Sequence, residues 1–148
     1  MDMTQYLQMF IEESRDHLQN LNDNLLKLEN DPNDSEIINE IFRSAHTLKG
    51  MSGTMGFTNT QKLTHNMENL LSEIREGNIK PNSNIVDVLF ESLDALENYL
   101  DEVVNTGNEG NKKYEDIIKE LADLLAGGGA PLEKKEATAQ NDAEKEEI

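Results

Sequence analysis

The side chains able to do chemistry in this chain are few, and they cluster. There is no cysteine, and the histidines are His17, His46 and His65. Without thiols there is no thiolate nucleophile, no disulfide framework and no Cys-ligated zinc. His46 stands in Ala45-His46-Thr47-Leu48-Lys49-Gly50-Met51-Ser52-Gly53. On a helix with Ala45 at the centre of the buried stripe, His46 lies about 100° away, on the flank between core and solvent. Gly50 and Gly53 project to about 140° and about 80°, on the same side. Glycine inside a helix costs about 1 kcal/mol relative to alanine. Two of them beside one imidazole point to a surface kept bare for something large, although glycines at a fraying helix end next to a half-buried histidine would read the same way.

His65 and Glu68 are three residues apart and share a face of the next helix. With Met67 at the centre of its stripe, Glu68 is also about 100° off the core, where it can reach across to His46. A carboxylate that accepts a hydrogen bond from one ring nitrogen selects the tautomer and leaves the other nitrogen nucleophilic. Lys49 follows His46 by three and can set its ammonium beside whatever His46 holds. A neutral imidazole pinned in this way is suited to accepting a phosphoryl group. That reaction asks mainly for positioning and for compensation of charge on the oxygens.

The charge pattern singles out the same stretch. The chain has 148 residues, 30 acids and 13 bases, a formal net charge of -17. From Ile41 to Met67, however, there is no Asp or Glu, while Arg43, Lys49 and Lys62 are present. An anion or an acidic partner fits such a window; a solvated face that lost its acids by chance is the other reading. The overall acidity excludes a general nucleic-acid binder and disfavours anionic lipid. No apolar run of about 18 residues occurs, so no membrane span is predicted, and Met1-Asp2-Met3-Thr4-Gln5 has no basic, signal-like start. A cytoplasmic protein is expected. A diiron bundle would need two Glu-x-x-His pairs, and the chain offers only His65-x-x-Glu68 in reverse order, so no metal site is expected.

The elements that must position these residues are all helical. Leu7, Ile11, Ser14, Leu18, Leu21, Leu25 and Leu28 form one stripe at steps of three and four, and Asp31-Pro32-Asn33-Asp34 ends it. A second helix starts near Asn33–Ser35 with the stripe Ile38, Ile41, Ala45, Leu48 and Ser52, widened by Phe42. Gly56 suits the left-handed residue beyond its end, with Phe57 folding back. Thr58-Asn59-Thr60-Gln61 reads as a capping box opening a third helix, which carries Leu63, Met67, Leu70, Leu71 and Ile74 and closes at Gly77. After Pro81-Asn82-Ser83-Asn84 a fourth helix carries Val86, Leu89, Leu93, Leu96, Leu100 and Val103. A Gly/Asn-rich break precedes a short fifth with Tyr114, Ile117, Ile118, Leu121 and Leu125. Connections this short favour antiparallel neighbours. The expected fold is all-α, an antiparallel up-and-down four-helix bundle over residues 1–126 with a fifth, C-terminal helix. Residues 127–148, opening on Gly127-Gly128-Gly129, read as a flexible linker or tail. Phe42 should pack beneath His46 one turn away, Met51 and Met55 should fill core, and Arg43 should be exposed.

Taken together, Ala45-His46-Thr47-Leu48-Lys49-Gly50-Met51-Ser52-Gly53-Thr54-Met55-Gly56 resembles the phosphoacceptor motif of histidine-containing phosphotransfer (HPt) domains, and more narrowly those of bacterial chemotaxis histidine kinases. The similarity extends to Tyr6-Leu7, Phe10-Ile11, Glu13-Ser14, Leu63-Thr64-His65 with Glu68, and Arg75-Glu76-Gly77. It implies that His46 is phosphorylated from ATP by a separate ATP-binding kinase domain of the same protein, usually in trans across a dimer. It further implies that Glu68 hydrogen-bonds the His46 ring, that Lys49 and His65 complete the site, and that Gly50 leaves room for the phosphoryl group. The phosphoryl group would pass to aspartate on receiver domains of the chemotaxis response regulator and methylesterase. The acid-free window would complement their acidic, magnesium-holding pockets. ATP and magnesium would belong to the partner domains, with no cofactor in this one, which is expected as a monomer. The chain has neither a Walker-type loop nor the Asp-x-Gly-x-Gly boxes of histidine-kinase ATP domains, so it should not phosphorylate itself. A free-standing phosphorelay intermediate and a non-catalytic helical adaptor are the alternatives.

Overall fold

In the computed structural model, residues 2–127 are described and form five helices: α1 (Met3–Asn30), α2 (Ser35–Met55), α3 (Thr58–Arg75), α4 (Ser83–Thr106) and α5 (Glu115–Ala126). The predicted tail lies outside the described residues except for Gly127. α1 packs on α2 and α4, α2 on α3, and α3 on α4, which closes a four-helix ring; α5 lies against α3 and α4. The stripes read from the sequence face the common core. Leu21, Leu25 and Leu28 of α1, Ile41 of α2 and Leu63, Met67, Leu70 and Leu71 of α3 are fully buried. At about 25 cal/mol per Å² of apolar surface removed from water, this core is the main force holding α2 and α3 in register.

The helix ends explain how α2 and α3 meet. Asp34 caps α2, its carboxylate accepting from the Glu36 N–H at 2.9 Å. At the far end Gly56 adopts φ 76°, and the Phe57 N–H reaches back to the Ser52 carbonyl at 2.9 Å. That is the bonding of a Schellman end, and it turns the chain through 56–57 alone. Phe57 is buried and meets Phe10 of α1 edge-on. Gly77 repeats the device after α3 with φ 85° and an Asn78 N–H bond to the Glu73 carbonyl at 2.9 Å.

The predicted capping box at Thr58 does not form. Thr58 is already the first residue of α3, and its N-cap, Phe57, makes no side-chain cap bond. A carboxylate from the loop between α4 and α5 takes that place. Glu109 accepts from the backbone N–H groups of Asn59 and Thr60 at 2.9 and 2.8 Å and from the Thr60 hydroxyl at 2.7 Å. A buried anion on the positive end of a helix dipole satisfies more donors than a local threonine could. The fifth helix also starts one residue later than read: Tyr114 is left-handed, φ 50°, and precedes α5. No helix of the described residues is long and apolar enough to cross a membrane.

Candidate functional site

α2 presents His46 on its flank and α3 presents Glu68 opposite, as the helical projection predicts. The His46 side chain is 60% exposed, whereas that of Glu68 is only 11% exposed. His46 Nδ1 bonds to Glu68 Oε2. The second carboxylate oxygen, Oε1, accepts from Lys49 Nζ at 2.5 Å. One carboxylate therefore bridges both groups that α2 extends toward α3. His46, Lys49 and Glu68 are brought together as the spacing suggests, but Lys49 addresses the glutamate, not the free edge of the imidazole.

The electrostatics follow from this geometry. Burial by itself pushes the Glu68 carboxyl up; the hydrogen bonds and charges of Lys49 and His46 outweigh it, and the group is held below its usual range. An ionised Glu68 can only accept, so Nδ1 is the ring nitrogen that carries the proton. In the neutral ring Nε2 then carries the lone pair, and it has no protein hydrogen-bond partner among the described residues. An exposed nucleophilic nitrogen with its opposite edge locked is the arrangement that phosphoryl uptake requires.

The remaining predicted site residues divide. An ideal Cβ on Gly50 would meet nothing within 4 Å, so no internal contact demands glycine there. Gly53 has an internal reason instead: a Cβ would lie 2.5 Å from the Gln61 amide of α3. Its bareness serves the α2–α3 approach, and only Gly50 keeps open space in front of the helix. His65 is exposed and makes no hydrogen bond or ion pair among the described residues. Arg43 is exposed, in an ion pair with Glu40 at 3.2 Å. Among the described residues no group of three or more His, Asp and Glu side chains is placed to hold a metal ion.

Phe42 packs against His46 as expected, with ring planes 7° apart and centroids at 6.0 Å. Its other neighbour was not foreseen: the Arg75 guanidinium lies over the Phe42 ring, 3.8 Å from its centroid. The only hint in sequence is that Arg75 follows Glu68 by seven residues, two helical turns, and so shares its face. Met51 and Met55 pack against the core, and they also line a groove with Tyr6 and Met9 of α1, both about half exposed.

An imidazole presented this way on an antiparallel bundle defines a class, and comparison agrees. The Hpt domain family matches residues 5–106, and the chain belongs to that family. The chemotaxis protein CheA of Bacillus subtilis is 43% identical over 143 residues, covering 97% of this chain and 21% of the relative. The solved CheA phosphotransferase domain from Thermotoga maritima is 46% identical, with a TM-score of 0.67 over 70% of this chain and 99% of that one. The phosphorylated P1 domain of CheA3 from R. sphaeroides, solved in complex with CheY6, shares the fold at 21% identity, with a TM-score of 0.79 over 84% of this chain and 98% of that domain. The chain spans about a fifth of the length of the curated relatives it matches.

Proposed function

We propose that this chain is the phosphotransfer domain of a chemotaxis histidine kinase, and that His46 carries the phosphoryl group. The observation behind the reading is the exposed His46 ring, tied at Nδ1 to a buried glutamate that Lys49 keeps ionised, with Nε2 open to solvent. The Nε2 lone pair forms the N–P bond while the bond from phosphorus to the donor's bridging oxygen breaks, and that electron pair leaves with the donor. Positive charge developing on the ring is met by Glu68 through the Nδ1 proton. Lys49 keeps that carboxylate ionised, and Gly50 leaves the approach free. His65, exposed on α3, is available to an incoming partner.

The donor is ATP held with magnesium on a separate kinase domain of the same protein, acting in trans. The acceptors are aspartates on receiver domains of a response regulator and a methylesterase. The part of α2 from Ile41 onward, which carries no acid, suits their acidic pockets, and the groove of Tyr6, Met9, Met51 and Met55 adds apolar area. The domain works in the cytoplasm as a monomeric module. Incubation with a cognate kinase core and labelled ATP tests the reading. Acid-labile, base-stable label that disappears in His46→Gln is expected; equal labelling of that variant would reject His46 as acceptor.

A further inference from the structure

Transfer requires that Nε2 point in one direction, and a histidine ring on a helix flank does not do so unaided. The terminal torsion of His is broad and soft. The Glu68 bond anchors the Nδ1 edge of the ring, yet the ring can still tilt about the line joining Nδ1 to the carboxylate. Its exposed side offers nothing to oppose that tilt. A contact across the ring face removes it, and Phe42, parallel to within 7°, supplies one. Phe42 is itself only half-buried, so it needs a partner of its own. Arg75 provides it at 3.8 Å, from the last turn of α3. Arg75 is exposed and forms no ion pair among the described residues, and its guanidinium lies over the Phe42 ring.

We infer that Arg75 is a positioning residue for phosphoryl transfer: by clamping the Phe42 ring it fixes the tilt of the His46 imidazole. α3 then holds the acceptor at two points two turns apart, in the ring plane through Glu68 and across the ring face through Arg75 and Phe42. Arg75 touches neither His46 nor a phosphoryl group, and its effect passes through the aromatic ring. The inference rests on His46 being the acceptor.

The test uses the full 148-residue chain. The His46 ring-proton shifts are read by NMR, because the Phe42 ring current reports its placement directly. Uptake from phosphoramidate is timed in parallel. Arg75→Met should move the His46 ring resonances toward those of a free exposed histidine, leave His17 and His65 where they are, and leave the melting curve unchanged. Uptake should slow about 2- to 5-fold, the worth of an exposed cation–π contact expressed as a rate. Arg75→Lys should recover part of both effects. Phe42→Leu should reproduce both effects, and Arg75→Met added to it should change nothing more. Unmoved His46 resonances in Arg75→Met, or effects that add to those of Phe42→Leu, would overturn the inference. The shifts are read before any phosphorylation, so a wild-type chain that took up no phosphoryl group would count against the acceptor reading while the shifts still decided how the ring is held.

Discussion

Two faces of this bundle carry half-buried or buried glutamates and treat them in opposite ways. Between α2 and α3, Glu68 lies between Lys49 and His46, and its carboxyl is held below the usual range. Between α4 and α5, Glu120 is pushed up to about 7, by burial first and then by a hydrogen bond and charge from Glu91, with Asp116 and Asp123 adding to it. Glu97 on α4 is raised as well, by burial and by its neighbours Asp94 and Asp101. The helices differ accordingly: α4 carries Asp87, Glu91, Asp94, Glu97, Asp101 and Glu102 and no base, whereas α2 from Ile41 onward carries Arg43 and Lys49 and no acid. Burial acts on both glutamates alike, and the neighbours decide the outcome. The acid-poor window therefore acts inside the fold as well. It leaves the Glu68 carboxylate with the Lys49 cation beside it and no acid among the groups that shift it, which is the state in which it can lock an imidazole.

Removing Glu68 is the strongest way to break this contrast. Glu68→Ala should slow phosphoryl uptake by about 10- to 100-fold, the worth of a charge-assisted hydrogen bond, with an unchanged helical circular dichroism spectrum. An unaltered rate would mean that something else orients the ring. Glu109 links the two faces, since it comes from the acidic end and caps the helix bearing Glu68. Glu109→Ala strips partners from Asn59, Thr60 and the Thr60 hydroxyl and should lower unfolding free energy by about 1–3 kcal/mol in a urea titration.

The pH dependence should have opposite signs on the two faces. Glu68, lowered on folding, contributes stability that is present above the ordinary glutamate range and is lost as pH falls through its folded value. Glu120, raised on folding, contributes stability that is present below the unfolded value of 4.5 and is lost as pH rises through about 7. Glu120→Gln should therefore raise the melting temperature at pH 8 more than at pH 5, by the equivalent of about 0.5 kcal/mol for relief of a screened like-charge contact. The smallest effect belongs to Thr58→Ala. Because Thr58 makes no cap bond, stability should stay within about 0.5 kcal/mol of wild type; a larger loss would return the start of α3 to local control.

Much of the site was legible because its spacing is helical. His46, Lys49 and Gly50 lie on one flank of α2 by arithmetic, and Glu68 faces them once α3 follows α2 through a tight turn. The Arg75–Phe42 contact and the true partner of Gly53 escaped, because both are side-chain meetings between helices. Nothing in the local pattern of either partner distinguishes them from an ordinary exposed arginine or an end-of-helix glycine. Periodicity puts Lys49 on the side of His46, but its bond to Glu68 Oε1 is visible only in the fold, since periodicity sets the direction of a long side chain and not which oxygen its end reaches.

What the amino-acid sequence determined by itself was local: five helices, their buried stripes, the Asp34 cap, the left-handed ends at Gly56 and Gly77, and the charge window around His46. Each depends on residues within about four positions of one another, where hydrogen bonding and side-chain periodicity act. Only the tertiary structure decided that Glu109 caps α3, that Arg75 braces Phe42, and that Gln61 fills the space over Gly53. Those contacts join segments separated by 8 to 50 positions, and they exist only after the core has brought the helices to packing distance.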